Sequence, residues 1–219
     1  MNPPYKKINS DSAHRKALSK INIETVNLYS GFVSLAIKLL QQNGELIAII
    51  PRSFCNGPYY FSFRKLLLEE TSIRQIHIFE TRDKAFDGDD VLQENVILHC
   101  IKGGKQGKVK ITSSPTADFH FDRISKEFLA SDMTFREVDV NSLVKENDKQ
   151  KFIHIATTDS EQDVIDSLSC FTSTLVELGI EVSTGPVVDF RLKEFISYQI
   201  QSDAVPLVYS SDLNGKAHW

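Results

Sequence analysis

Asn2-Pro3-Pro4-Tyr5 sets an amide, two imino acids and a phenol in four consecutive positions. Each proline fixes φ and carries no backbone N–H. The residue before each proline is pushed extended. The result is a stiff turn rich in acceptors: the Asn2 side-chain oxygen and the Pro3 carbonyl. No N–H of Pro3 or Pro4 competes for them. An exocyclic amine on a flat ring has two N–H donors to offer. Accepting both raises electron density on that nitrogen and helps it leave planarity as it attacks an electrophile. Tyr5 adds a flat face on which the ring could stack. The chemistry is therefore transfer to an amine, driven by positioning and electrostatics. A proline-rich tail without function has the same composition, so the surrounding elements must decide.

The elements alternate. Leu28, Phe32, Leu35, Ala36, Leu39 and Leu40 recur at helical spacing, and Asn43-Gly44 stops that helix. Leu46 to Ile50 reads as a buried strand ended by Pro51. A short helix is predicted from Pro58 to Glu69, with Pro58 in its first turn. Ile73 to Phe79 and Asn95 to Ile101 read as two more strands, joined by a polar loop from Glu80 to Glu94. Helix, strand, helix, strand is the grammar of a doubly wound α/β sheet. The last two strands have no helix between them and are expected to pair antiparallel at one edge. Residues 1–107 form this unit, which Gly103-Gly104 to Gly107 closes. Residues 108–158 read as a polar connector with weak short strands. Val164, Leu168, Phe171, Leu175 and Leu178 then predict a further helix, capped by Ser160 or Asp159 and ended by Gly179. The remainder to Trp219 is turn-rich and β-leaning.

The chain has 219 residues, 41% hydrophobic and 25% charged, which suffices for a buried core and excludes a largely disordered protein. No apolar run approaches the roughly 20 residues of a membrane helix, and no signal-peptide pattern opens the chain. A cytoplasmic protein is the expectation. Cys55, Cys100 and Cys170 are too few and too scattered for a disulfide framework or a zinc site. The six histidines show no paired metal-ligand spacing, and His77 and His99 read as packing or hydrogen-bonding residues inside strands; no metal is expected. The formal charge of −4 argues weakly against nucleic acid. Local clusters argue the other way: Lys6, Lys7, Arg15, Lys16 and Lys20 face one acid, Asp11, and Lys102, Lys105, Lys108 and Lys110 face none.

Asn2-Pro3-Pro4-Tyr5 resembles motif IV of the S-adenosylmethionine-dependent amino-methyltransferases, especially the DNA adenine-N6 enzymes of restriction–modification systems. Asn27-Leu28-Tyr29-Ser30-Gly31-Phe32 looks like the helix that follows that motif. Asn43 to Leu46, then Ile50-Pro51-Arg52-Ser53-Phe54, is similar to their next strand and its proline-ended loop. Lys84-Ala85-Phe86-Asp87, then Glu94 to Leu98, looks like motif VIII. The resemblance runs from Asn2 to about Gly104 and implies a partial Rossmann-like methyltransferase sheet. It implies base flipping, in which the target adenine leaves the duplex and enters a pocket. Asn2 and Pro3 would accept the amine protons, Tyr5 would stack on one face, and Phe86 would pack against the flipped base. Phe79 is the fallback for Phe86, although its strand position favours the core. Lys6 and Lys7 could contact phosphates. Arg52 and Ser53, at the carboxyl end of a strand, are candidate DNA contacts.

A looser resemblance covers the C-terminal part. Val182-Ser183-Thr184-Gly185-Pro186-Val187-Val188 with Arg191, then Val205 to Tyr209, looks like the opening of the target-recognition domain in large Eco57I-like or PstI-like adenine methyltransferases. Residues 159–219 would then begin that domain, with Ser183, Thr184 and Arg191 toward the duplex. The motif order fits the γ arrangement.

The sequence departs from the family at its start. It opens at motif IV, and the Gly-rich turn after a first strand, with an acidic residue about 20 positions on, is absent. Gly103-Gly104-Lys105-Gln106-Gly107 follows the last strand of the unit and is a poor substitute. The chain is expected to bind S-adenosylmethionine poorly, to be inactive alone, and to need a missing N-terminal half or partner subunit. Two other readings stay open: a binding fragment that supplies only specificity, and an amino-methyltransferase acting on protein glutamine or ribosomal RNA. No nuclease signature stands out.

Overall fold

Ser12 opens the first helix, α1 (Ala13–Ser19), by accepting from the Arg15 N–H at 3.2 Å. Asn27 opens α2 (Leu28–Leu39) in the same way, accepting from the Ser30 N–H at 3.1 Å. Tyr29, Val33 and Ile37, four residues apart, form the buried stripe of α2. Next come β1 (Glu45–Pro51), α3 (Phe61–Glu70), β2 (Thr71–Phe79) and β3 (Asn95–Lys102). These are followed by β4 (Val109–Ser114), β5 (Phe119–Asp122), β6 (Glu127–Ala130), β7 (Thr134–Val138), α4 (Val140–Leu143) and α5 (Asp159–Leu168). The computed structural model describes residues 1–80, 94–168, 170–173, 175–181, 188–197, 205 and 207–208. Contacts group the chain into two units, Met1–Cys170 and Phe171–Trp219.

The first unit is an α/β sheet in the order β1-β3-β2-β4-β7. Strand β3 is antiparallel to both β1 and β2, so those two run the same way. Strand β4 is parallel to β2, and β7 is antiparallel to β4. Alternation along β1 buries Leu46, Ala48 and Ile50 in one cluster with Val33, Ile37, Phe63 and Leu67 of the helices. Ile47, on the other face, is 54% exposed. That face carries a shallow groove of about 370 Å³ lined by Ile47, Gln75, His77, Ile97, His99, Phe119 and Met133. Strands β5 and β6 form a separate hairpin.

Four expectations change. The two strands joined by the polar loop do pair antiparallel, but β3 lies between β1 and β2 rather than at an edge. The sheet does not stop at Gly107, because Val109–Ser114 and Thr134–Val138 both enter it. The run Thr112-Ser113-Ser114 breaks the alternation of β4 after Val109 and Ile111, and its hydroxyls are satisfied inside the fold: Thr112 and Ser114 contact the two nitrogens of His77 at 2.8 and 3.1 Å. The helix expected from Val164 onward, α5, ends at Leu168, not Gly179. Beyond it the chain carries Ser, Thr and Cys around Phe171, residues that favour turns over helix interiors. Phe171, Leu175 and Leu178 are exposed. Its start is capped by Thr158, whose hydroxyl accepts from the Glu161 N–H at 3.2 Å, rather than by Asp159 or Ser160.

A bulge between Ile73 and Gln75 is held by one side chain. The Gln106 amide accepts from the Ile73 N–H at 2.8 Å and donates to the Ile73 carbonyl at 2.9 Å, replacing the missing ladder bonds. Gly103 has φ +62°, and a Cβ there would lie 2.0 Å from the Gln42 side chain.

Candidate active site

The Asn2–Tyr5 turn is placed by backbone bonds on both of its sides. Before it, the Met1 nitrogen donates to the Ile47 carbonyl at 2.5 Å, and the Ile49 N–H donates to the Met1 carbonyl at 3.0 Å. Bonds to residues on either side of Ala48 are the pattern of a parallel pair, on the edge of β1 away from β3. After it, the Leu28 N–H donates to the Lys6 carbonyl at 2.8 Å and the Ile8 N–H to the Val26 carbonyl at 3.0 Å. The turn is thus strung between the carboxyl half of β1 and the start of α2. Open α/β sheets bind their ligands at this end of their strands.

Asn2 is exposed, Pro3 is buried and Tyr5 is half-buried. The Tyr5 hydroxyl lies 3.1 Å from Asn2 Oδ1 and 3.3 Å from the Ile49 carbonyl, so its one proton is shared between them. An amide oxygen has two lone pairs. The phenol occupies one, which fixes the amide, and the other stays free for a second donor. Burial raises the Tyr5 pKa, so the hydroxyl remains a donor through neutral pH.

Behind Tyr5 lies an aromatic stack. Tyr29 meets Tyr5 edge-on at 6.1 Å and stacks on Tyr60 at 5.7 Å. Asn27 Nδ2 donates to the Tyr60 hydroxyl at 2.6 Å, and Ser53 Oγ lies 3.2 Å from the Tyr29 hydroxyl and 3.4 Å from that of Tyr60. Burial pushes the Tyr29 phenol well above its ordinary value. Gly57 permits the fold-back of Tyr60: a Cβ there would sit 2.7 Å from the Tyr60 ring and 2.8 Å from the Ser53 carbonyl. Arg64 is fully buried and fastens this loop from beneath. Its guanidinium donates to the carbonyls of Phe54 and Gly57 at 2.8 Å each, and twice to that of Gln150 at 3.0 and 2.9 Å. It also covers the Phe152 ring at 4.9 Å.

The structure brings Asn2, Pro3, Tyr5 and Ser53 together, the last through Tyr29. Lys6 and Lys7 are exposed immediately beyond the turn. Arg52 is half-buried and engaged, with Nη2 3.5 Å from the Ile155 carbonyl and Nη1 3.7 Å from Glu94. Phe79 is buried against His77 and Phe119, as its strand position implies. Phe86, Ser183 and Thr184 lie outside the described residues. Arg191 is exposed in a 3-10 turn (Asp189–Arg191) of the second unit. Sequence reasoning missed the roles of Asn27, Tyr29 and Tyr60. The Gly57-Pro58-Tyr59-Tyr60 run was the available signal: a close-approach glycine and a helix-starting proline aim the two rings. Asn95, paired with Pro51 at the carboxyl end of β1, was also missed; its Oδ1 is buried without a hydrogen-bond partner among the described residues.

The described residues do not fit a cofactor cradle. Gly103 and Gly104 lie at the opposite end of the sheet from the turn, beside Glu45 and Thr71, and Gln42 already fills the space over Gly103. Strand β1 ends in Pro51-Arg52 with no glycine turn.

The family model that matches this chain is the Eco57I restriction-modification methylase, over residues 1–86. The type II methyltransferase M.BsuBI of Bacillus subtilis is 49% identical over 215 residues, 98% of this chain and 40% of that protein. M.PstI of Providencia stuartii is 45% identical over 97% of the chain and 40% of its own length. Residues 1–86 are similar to that methylase family, and the similarity to the two type II methyltransferases runs over nearly the whole chain. It spans about two fifths of the length of the curated relatives it matches. The solved structure of the type IIG restriction endonuclease BpuSI overlaps 63% of the chain and 18% of its own at 16% identity, with a TM-score of 0.46. The matched region ends at Phe86 and contains the whole turn, the stack and Arg64. No described helix is long and apolar enough to cross a membrane.

Proposed function

We propose that this chain is the base-binding part of a DNA adenine-N6 methyltransferase. The single observation that carries this reading is the exposed Asn2 amide, oriented by the Tyr5 hydroxyl at 3.1 Å with one oxygen lone pair left over. An extruded adenine would place its amine between Asn2 Oδ1 and the Pro3 carbonyl, giving one N–H to each. The amine nitrogen then gains electron density where the methyl group arrives. The Tyr5 ring offers a stacking face that offsets part of the unstacking cost of a few kcal/mol. No strong base is required if the proton departs after transfer.

The methyl donor in this reading is S-adenosylmethionine. The described residues do not fit it, so its binding is assigned to the part of the relatives that this chain does not match. The chain alone is then expected to be inactive and to need that part, in the same polypeptide or in a partner subunit. Residues 159–219 are proposed as the start of the target-recognition domain, with Ser183, Thr184 and Arg191 as DNA contacts, and Phe86 as the second stacking residue. Lys6 and Lys7 are proposed phosphate contacts.

The test is methylation of a duplex oligonucleotide by the complete enzyme carrying Asn2→Ala or Tyr5→Ala, with 2-aminopurine at the target position as a reporter of extrusion. Both variants are expected to lose methylation, and Tyr5→Ala to reduce the 2-aminopurine signal. Intact methylation in either overturns the reading. A binding-only role predicts instead that duplex affinity persists, that it falls with salt, and that no methyl group is transferred with any complement.

A further inference from the structure

The rim beside the turn carries an aromatic residue that the proposed function does not use. Tyr59 sits in the 3-10 turn Pro58–Tyr60 and is 76% exposed. Its neighbour Tyr60 is wired inward, to Asn27 at 2.6 Å and onto Tyr29 at 5.7 Å. Successive side chains of a 3-10 turn diverge by about a third of a turn, so anchoring Tyr60 holds Tyr59 outward. The support is stiff: Pro58 fixes one φ, and Arg64 clamps the carbonyls of Phe54 and Gly57 just before it. Lys7 pairs with Asn27 through a β-bridge, so Lys6 and Lys7, both exposed, share this rim with the Tyr60 anchor. Residues 1–10 and 57–65, which carry the turn and this rim, contain no Asp or Glu.

An outward aromatic ring on a braced backbone, flanked by lysines, is the pairing that holds unstacked nucleobases: the cations meet the phosphodiester and the ring takes a base face. We propose that Tyr59 stacks on a nucleobase of the bound DNA beside the extruded one, with Lys6 and Lys7 on the adjoining phosphates. With the backbone beneath it already held, this side chain has only its own two χ angles to order on contact, which suits a position that must hold a strand already distorted by extrusion. The inference rests on the reading that the turn receives a base from a duplex.

The experiment places a lone indole at the rim, Tyr59→Trp with Trp219→Phe, and titrates the chain with duplex while anisotropy of a labelled duplex records binding. Quenching of the indole that tracks binding, together with a roughly tenfold or greater loss of affinity in Tyr59→Ala and near-normal affinity in Tyr59→Phe, is the expected result. Unchanged emission at saturation overturns the proposal. A blue-shifted indole before DNA is added, with Tyr59→Ala lowering Tm but not affinity, means that protein covers the ring, and also overturns it. Asn2→Ala is measured in parallel. If Tyr59 behaves as expected while Asn2→Ala leaves methylation by the complete enzyme intact, the rim stands and the acceptor reading fails. If the unsubstituted chain binds no duplex, the rim proposal fails and the acceptor reading is still decided by methylation.

Discussion

Replacing Tyr5 with Phe separates the two tasks assigned to that side chain. The ring and its edge contact with Tyr29 remain, and only the hydroxyl bonded to Asn2 Oδ1 at 3.1 Å and Ile49 at 3.3 Å is lost. A neutral, half-exposed hydrogen bond contributes about 0.5–1.5 kcal/mol net. At about 1.4 kcal/mol per tenfold, methyl transfer should slow roughly two- to tenfold. Tyr5→Ala also forfeits base stacking of about 1–3 kcal/mol, so the combined loss is roughly tenfold to a thousandfold. If the hydroxyl acts by orienting the amide, Tyr5→Phe should cost nothing further in an Asn2→Ala background. Single-turnover methylation by the complete enzyme reads all four corners of that cycle. The pH profile adds an independent sign. The phenol donates while protonated, and burial raises its pKa above 10.0. The advantage of Tyr over Phe should therefore hold through neutral and mildly alkaline pH and vanish only as pH climbs through that raised value. Equal losses in Tyr5→Phe and Tyr5→Ala, or full additivity with Asn2→Ala, would refute the division of labour.

Three further outcomes are expected. Arg64→Met strands the buried carbonyl of Phe54, at about 1–3 kcal/mol, and removes the donor of the part-buried carbonyls of Gly57 and Gln150, which water can reach, so chemical denaturation should show a loss of about 1–3 kcal/mol or more; a loss under about 1 kcal/mol refutes the clamp. Burial lowers His77 to about 4 from 6.5, so the folded imidazole stays neutral while the unfolded one takes a proton below pH 6.5. Its contribution is whole above pH 6.5 and falls between 6.5 and 4, by up to about 3 kcal/mol, and His77→Gln should lose correspondingly less stability over that interval than the native chain; equal losses refute it. Lys6→Ala and Lys7→Ala should each flatten the slope of log affinity against log salt by about 0.9 if each meets one phosphate, and an unchanged slope removes that lysine from the interface.

The sheet's helices and first strands were legible because their signals are local. Asn27 as a cap, Tyr29-Val33-Ile37 as a stripe and Leu46–Ile50 as a buried run need no distant partner to be read. Strand order is not local. Only pairing with β1, some 45 residues earlier, moves β3 from the edge to the interior, and no residue in β3 announces that second partner. Strand β4 was illegible for a different reason: its Ser and Thr look like loop until His77 and Glu80 are seen to satisfy them. The over-long helix arose from apolar residues that keep helical spacing past Leu168 but meet no neighbouring face, since Phe171 is 73% exposed. At the site, the stiffness of the turn could be read from its imino acids alone, whereas the Tyr29–Tyr60–Asn27 anchor depends on a contact between residues 33 positions apart.

That anchor explains how an exposed turn can also be a precise one. Holding one backbone residue in place costs about 1–2 kcal/mol of conformational entropy. At Pro3 and Pro4 most of that restriction is covalent and present before folding. The flanking positions are fixed by bonds to structure that is itself buried: Met1 to β1, Lys6 to the first residue of α2, and Tyr5 to Tyr29, which is 1% exposed. Asn2 can therefore remain in solvent without sampling many orientations, because its oxygen is steered by a phenol whose ring is already seated. In the proposed reading, a site built this way spends little ordering on its ligand, which would supply two N–H donors on a flat ring.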